Sequence, residues 1–520
     1  MAIVAPTTSI TSGVEVTKKL VDAAVAFGDL LAGTLGPNGL DKMMYKTNGQ
    51  TAVTNDGAKI VAELLVKHPA AKAFVALAQS QENACGDGVT SCLLIASNLM
   101  REAGRLFDKK LHPLVLVDGY QKALDITLQT LESKIITIRP DSIDDLRKVA
   151  KTAMGGTSAE AGGDLMADLV VTAAQLVAGE RDGNLHISTE DVRMSKRGVG
   201  SIGDSRIIAG LIIEKRLELD RLPKSVDAGK VLVLSCPLQI ESTTRDVEIE
   251  VEDAEQWASF MDAEEEKLQL KTQQVINSGA SLVFTAEGVE ARILHALVDA
   301  GIFVLGGLEK AGAEDIALAT GAMVIDHLDD ISQYILGDFS ELKIEILEGA
   351  EGRRERIHLL VGQQTGIATI DVGGGDGVAS EEVIRGLYDA LCSVTSAMET
   401  GEVLTGGGSL HMAASLAIKE AAENHPGRER LAMEAFSRAL ESVPATLGEN
   451  AGVNRLDCLL ELRALHRAGN SEAGVMRDGK AGIIEEALAS AETLSHAIEA
   501  ACETACGLLR VDQVISARGD

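Results

Sequence analysis

The chain has 520 residues, 46% of them apolar but only 2% aromatic, and a formal net charge of −30. That length exceeds what one hydrophobic core spans, so several domains are expected, packed mainly by Ala, Val, Leu and Ile. The acidic balance argues against a nucleic-acid partner, which needs clustered Lys and Arg, and suits a large soluble assembly or a salt-rich cell interior.

In chain order, the apolar positions Val16, Leu20, Ala24, Phe27, Leu31 and Leu35 recur every three or four residues, which predicts a helix stopped by Gly36-Pro37. The loop Thr34-Leu35-Gly36-Pro37-Asn38-Gly39 then sits at a helix C-terminus, where the dipole disfavours phosphate, so any binding there relies on close backbone access. Asn55-Asp56-Gly57 follows, ordinarily a plain turn. Next comes Gly86-Asp87-Gly88-Val89-Thr90-Ser91, leading into the apolar run Cys92-Leu93-Leu94-Ile95-Ala96, so this loop opens a helix. Exposed N–H groups at such a start form an anion-binding nest, and Asp87 is placed to hold Mg²⁺ against a polyphosphate. A simple helix cap is the plainer reading of the same residues. No Gly-Lys-Ser/Thr ending of a Walker loop is present.

Further helices read out of Ala70–Gln79, Ser91–Leu106 and Pro113–Leu131. The pattern breaks at Arg139-Pro140-Asp141, and from Ile207 to Leu360 β-branched runs alternate with helical stretches. Val231–Leu234, Ser281–Thr285, Ile302–Leu305 and Met323–Ile325 are predicted strands of an α/β domain. Within it, Asp253 and Gln256 suggest a partial capping box before an interrupted apolar stripe of Trp257, Phe260, Met261 and Leu268. After Gly401 the sequence returns to long helices at Ser409–Ala422, Leu431–Val443 and Glu485–Leu509. Helical material at the two ends thus predicts one discontinuous domain with the α/β block inserted.

The ordered series of the three opening motifs, Val231-Leu232-Val233-Leu234-Ser235-Cys236-Pro237-Leu238, Gly406-Gly407-Gly408 and Glu449-Asn450-Ala451-Gly452 resembles the group II chaperonins of archaea and the eukaryotic cytosol, the thermosome type. The resemblance runs through nearly the whole chain. It implies a multidomain α and α/β fold: an equatorial ATP domain (1–144 and 395–520), an intermediate hinge domain (145–212 and 362–394) and an apical substrate domain (213–361) with a lid protrusion at about 246–276. It implies ATP and Mg²⁺, with K⁺ a family expectation, non-native client proteins, and self or paralogous subunits in two stacked rings. By the same resemblance Asp87 is the Mg²⁺ ligand, and Leu35, Gly36, Pro37, Gly57, Gly88, Val89, Thr90 and Ser91 surround the phosphates. Asp56 and Asp389 are the catalytic carboxylates, Gly406 and Gly407 lie against the nucleotide, and Glu485 reaches the ribose.

Several positions depart from the family pattern. Val89 replaces a usual Thr, Thr157 stands where a phosphate-sensing Lys is expected, Val372 replaces Arg before Gly373-Gly374, His411 replaces a Glu, and Glu486 a Pro. The leading expectation is an ATP-driven folding chamber with a built-in lid. The alternative is a ring-forming holdase or scaffold subunit with a weak ATPase. A small-molecule kinase would need an acceptor site, and no constellation for one is present.

Seven scattered cysteines without a Cys-x-x-Cys pair indicate small buried residues in a reducing compartment, with Cys502 and Cys506 on one helix face. No apolar run approaches the roughly 20 residues of a membrane span, and no charged-then-apolar signal pattern opens the chain. No membrane partner and a cytoplasmic location are the expectation.

Overall fold

The first helix, Val14–Leu31, forms because one face of it is apolar at helical spacing, and that face is buried: Val16, Leu20, Ala24, Phe27 and Leu31 are nearly inaccessible. A short 3-10 turn at Ala32–Thr34 ends it where Gly36 and Pro37 forbid continuation. These and the following features come from a computed structural model that describes residues 8–45, 51–64, 69–219, 221–240, 254–349, 352–362, 366–375 and 377–517.

The chain packs as two units, Met1–Val171 with Gly377–Asp520, and Thr172–Asp376. In the first unit, helices Val14–Leu31, Pro69–Cys85, Val89–Asp108, Pro113–Glu132, Ser409–Glu423, Glu429–Leu440 and Ala491–Leu509 surround one core. Its bulk comes from Leu, Ile, Met and Ala with a few rings, including Phe27 stacked on Phe74 and Tyr120 edge-on to Phe436. The Tyr120 hydroxyl donates to the Leu99 carbonyl at 2.7 Å, so its burial leaves no unpaired polar group. Cys502 and Cys506 lie in this core one turn apart, as free thiols, which agrees with the reading of small buried residues. Three distant segments meet in a small sheet, Glu402–Thr405 between Ile136–Thr137 and Leu488–Ser490, both antiparallel to it.

Two predicted helices need correction. The stretch from Glu485 to Leu509 is not one helix. Glu485 and Glu486 form a bend, Leu488–Ser490 is a strand, and the helix Ala491–Leu509 starts behind the Ser490 side chain, which accepts from Thr493 N–H. The stretch Leu431–Val443 is likewise broken, into Glu429–Leu440 and Ser442–Asn450. Pro444 sits in the first turn of the second piece, the one place in a helix where a missing N–H costs nothing. At the break Glu441 is buried among Ser415, Lys419 and Arg463, which compensate its charge.

The second unit is built on a mixed sheet, seven-stranded among the described residues, ordered Phe303–Leu305, Leu282–Thr285, Ser225–Leu234, Gly337–Gly349, Gly352–Leu360, Gly210–Glu214, with Val324–Ile325 also paired to Ser225–Leu234. The continuous run Val231-Leu232-Val233-Leu234 is buried on both faces, as a parallel strand with cover on each side must be. Val231 and Val233 enter one core, Leu232 and Leu234 the other. A separate three-stranded sheet joins Val192–Lys196, Ala368–Val372 and Arg206–Ile208. Helix Ala254–Asn277 carries Trp257, Phe260 and Met261 exposed, with the Trp257 and Phe260 rings stacked at 6.5 Å, while Leu268 is buried. The capping residue expected at Asp253, and 246–253 of the lid segment, lie outside the described residues. Among the described residues no helix is long and apolar enough to cross a membrane.

Candidate nucleotide site

A cleft of about 200 Å³ in the first unit is lined by residues from all three opening motifs and from helices Ile143–Ala153 and Val378–Thr400. Thr34, Leu35 and Gly36 form one wall, Asn55, Asp56 and Gly57 a second, and Gly86 through Ser91 a third. Thr152, Ala153, Gly155 and Thr157 face them, with Glu82 and Asp389 completing the rim. The volume falls below the roughly 300–1,000 Å³ of a small-molecule pocket, and suits the phosphate end of a nucleotide.

Local chemistry fixes each wall. Gly88 is the N-cap of Val89–Asp108 at φ 82°, a left-handed conformation that a side chain would strain. The first-turn N–H groups of that helix, including those of Val89, Thr90 and Ser91, have no intrahelical acceptors and sit at the positive end of the helix dipole. Gly36, at φ 79°, leaves no room for a Cβ, which would stand 2.3 Å from Leu447 Cδ2. Its loop is anchored by Asn450, whose Nδ2 donates to the Ala32 and Leu35 carbonyls at 2.9 Å each. The Asn450 landmark thus holds the loop in place from the other end of the chain. Asn55 Nδ2 donates to the Gly156 carbonyl, joining the second wall to the loop after Ile143–Ala153.

Asp56 caps the short helix Gly57–Ala62: its Oδ1 accepts from Ala58 N–H at 2.8 Å, and its Oδ2 accepts from Arg385 Nη1 at 2.7 Å. Asp87 accepts from its neighbour Gly88 N–H at 2.6 Å and from Ser393 Oγ at 2.8 Å. Behind it Gln81, fully buried, donates to the Asp87 carbonyl and contacts His496 Nδ1 at 2.7 Å. Glu382, one turn before Arg385, accepts from Thr54 Oγ1 and Lys59 Nζ, each at 2.8 Å. Helix Val378–Thr400 therefore meets the loops along one stripe, through residues 382, 385, 389 and 393.

The electrostatics are one-sided. Among the described residues Asp56, Glu82, Asp87 and Asp389 line the cleft, and no Lys, Arg or His does. Burial pushes Asp389 well above the usual carboxylate range, and repulsion from Asp87, Asp56 and Glu82 adds to it, against the lowering effect of Arg385. Burial raises Asp87 too, while the Ser393 and Gly88 hydrogen bonds pull it down. Glu82 is raised to about 7, first by burial and then by Asp56. A set of carboxylates held this unfavourably is what a cation would relieve. Among the described residues no three His, Cys, Asp or Glu groups are arranged to hold a metal unaided.

Of the residues expected at the site, Leu35, Gly36, Asp56, Gly57, Asp87, Gly88, Val89, Thr90, Ser91 and Asp389 come together in the cleft. Pro37, Gly406, Gly407 and Glu485 are not among its lining. Gly406 N–H donates to the Ala487 carbonyl, and Gly407 packs against Val475 and Ile484. Thr157 faces the cleft, its hydroxyl donating to the Met154 carbonyl. His411 is buried with neither ring nitrogen hydrogen-bonded among the described residues. Sequence reasoning missed Glu82, Arg385 and Ser393. The last two lie four residues either side of Asp389, the helical spacing that would have flagged them.

Residues 27–519 match the TCP-1/cpn60 chaperonin family. The chain belongs to that family, in its group II branch. It is 35% identical to thermosome subunit beta of Archaeoglobus fulgidus over 98% of this chain and 94% of the relative. It is 34% identical to the thermosome subunit of Methanopyrus kandleri over 95% of this chain and 91% of the relative. Against thermosome subunit 1 of Haloferax volcanii it is again 34% identical, over 98% and 90%. In this chaperonin the matched region takes in every residue of the cleft.

Proposed function

We propose that this chaperonin is an ATP-dependent folding machine whose subunit binds and hydrolyses Mg·ATP in the cleft. The observation that carries the reading is the pairing of a glycine-capped helix start, donating N–H groups, with four carboxylates and, among the described residues, no lining cation. A polyphosphate is acceptable there only together with a metal. Bound Mg²⁺ would neutralise phosphate charge and polarise the terminal phosphoryl group. Asp87 is the side chain to hold it, and Thr90 and Ser91 supply hydroxyls beside the helix N-terminus. Asp56 and Asp389, both lining the cleft, are acceptors for the protons of an attacking water, which they orient.

The same reading assigns self or paralogous subunits as ring partners and non-native proteins as clients. The chain then divides as equatorial 1–144 and 395–520, intermediate 145–212 and 362–394, and apical 213–361. Helix Ala254–Asn277, with its exposed Trp257, Phe260 and Met261, supports the assignment of a lid. A second reading, a holdase with weak turnover, is favoured by Thr157, which brings no positive charge to the cleft.

The deciding experiment is Mg²⁺-dependent ATP turnover by the assembled protein and by Asp389→Ala. Turnover that collapses in the variant is expected. Intact rings that bind nucleotide without turnover in either protein would overturn the ATPase and leave the holdase.

A further inference from the structure

We infer that Arg385 is a positioning residue for hydrolysis, acting through Asp56; the inference rests on the ATPase reading above. Asp56 lines the cleft and Arg385 does not, so the arginine stands behind the aspartate. Its Nη1 donates to Asp56 Oδ2 at 2.7 Å while Ala58 N–H holds Oδ1 at 2.8 Å. Bonds to both oxygens stop rotation of the carboxylate, so its remaining lone pairs face the cleft in one fixed set of directions.

Arg385 does this from the helix that carries Asp389, one turn away on the same face. The Arg385–Asp56 bond therefore sets the separation of the two carboxylates assigned to the water. Neighbouring turns repeat the attachment, with Glu382 on Thr54 and Lys59, and Ser393 on Asp87. The guanidinium accepts a penalty for its place. Among the described residues its Nε is buried without a hydrogen-bond partner, with Glu382 Oε1 3.9 Å away. A buried donor left unmade is costly, so the side chain is not placed for its own satisfaction. Its orientation serves the bond to Asp56.

A plain ion pair that merely pins the helix would give the same distance, so the test separates the two. ATP turnover and equilibrium binding of Mg·ADP are measured on assembled wild type, Arg385→Gln, Arg385→Lys, Asp56→Asn and the double variant Arg385→Gln/Asp56→Asn. Arg385→Gln is expected to lower kcat roughly 10- to 100-fold, the cost of a misplaced reacting geometry. KM and Mg·ADP affinity are expected to stay within about threefold, because the interaction matters in the transition state. Arg385→Lys recovers part of the loss, and the double variant is no slower than Asp56→Asn alone.

Unchanged kcat in Arg385→Gln, or Mg·ADP binding lost in step with turnover, overturns the inference. So does a double variant slowed by the full additional factor. Should Arg385→Gln fail to assemble, Arg385→Lys decides, since wild-type kcat in a protein that keeps the charge but loses the fork geometry overturns it. Absent turnover in wild type sinks the ATPase reading and this inference with it. Normal wild-type turnover with an indifferent Arg385 sinks the inference alone.

Discussion

Arg356 and Asp371, both wholly inaccessible, meet through two hydrogen bonds of 2.6 and 3.2 Å that tie the large sheet of the second unit to its three-stranded sheet. The pair is the centre of a wider network. Arg206 reaches both Asp371 and Glu345, Arg197 bonds Glu345, and Arg356 also bonds Glu214 and Ser195. His358 contacts Glu345, yet burial holds its imidazole below the usual histidine range, helped by the nearby Arg206.

Removing Asp371 leaves the guanidiniums of Arg197, Arg206 and Arg356 to share Glu345 and Glu214, a buried cluster with excess positive charge. Asp371→Ala should therefore destabilise the second unit by roughly 3–5 kcal/mol. Replacing both with apolar residues, Arg356→Met with Asp371→Leu, should cost less than the single change. Hydrogen exchange in strand Ala368–Val372 reads the effect locally, which matters because a chain of this size does not unfold in one step. A double variant as damaged as the single one would mean that the pair is needed for its geometry as well as its charge balance.

His411 gives a pH dependence with a definite sign. Burial alone lowers its imidazole to about 4, and the nitrogens find no partners among the described residues. Because the folded value lies below the unfolded one of about 6.5, the unfolded chain binds the extra proton. The contribution to stability is thus fully present above pH 6.5 and is lost as pH falls toward 4, by about 3 kcal/mol across that window. His411→Leu removes the titrating group. The melting difference between His411→Leu and wild type should be flat at neutral pH and widen in favour of the variant on acidification. A difference independent of pH would show that the imidazole is not buried neutral.

How much of this could be read beforehand follows from the range of each interaction. The stripe from Val16 to Leu31 and the run from Val231 to Leu234 are local patterns, and both elements form where the pattern places them. The loop motifs were legible for the same reason, since a glycine next to an aspartate before a helix constrains the backbone at that spot. Helix ends were harder: Ser490 starts a helix within a stretch that composition alone makes helical, and Pro444 splits another. Spacing from Asp389 marks Arg385 as a neighbour on the helix face, but its bond to Asp56, 329 residues away in sequence, left no local signal. No periodicity reports such a contact. Glu82 was missed because its character comes from burial beside other carboxylates, which only the fold creates.

Asp87 should make nucleotide binding depend on metal. In wild type, Mg²⁺ is expected to tighten ADP binding, because four carboxylates around the cleft repel a bare polyphosphate. Asp87→Ala removes the proposed ligand and part of that repulsion together. Affinity for metal-free ADP should then rise or hold while the gain on adding Mg²⁺ shrinks roughly tenfold or more, the scale of one lost ligand interaction worth about 1.4 kcal/mol. Titration calorimetry with and without Mg²⁺ measures both numbers. An undiminished Mg²⁺ effect would place the metal on another carboxylate, with Glu82 and Asp389 the groups within the same cleft.

The last expectation concerns Asn450, which is not among the cleft's lining residues yet supports one wall of it through Leu35. Its side-chain N–H groups satisfy the Ala32 and Leu35 carbonyls, at a helix end where carbonyls otherwise lack partners. Asn450→Ala takes the side-chain donor from both carbonyls and leaves Ala32 only its 3.4 Å bond from Leu35 N–H, a local cost of about 1–3 kcal/mol. The Gly36 loop should consequently exchange its amide hydrogens faster, and Mg·ADP should bind several-fold more weakly. Gly36→Ala perturbs the same wall from the other side, by forcing a side chain into a left-handed conformation against Leu447. That costs about 1–2 kcal/mol. If the loop acts on nucleotide affinity, the two variants weaken binding together and their effects are less than additive, since each loosens the same segment. Weaker binding in Gly36→Ala alone would confine the effect to the glycine, and would show that the loop keeps its shape without the asparagine.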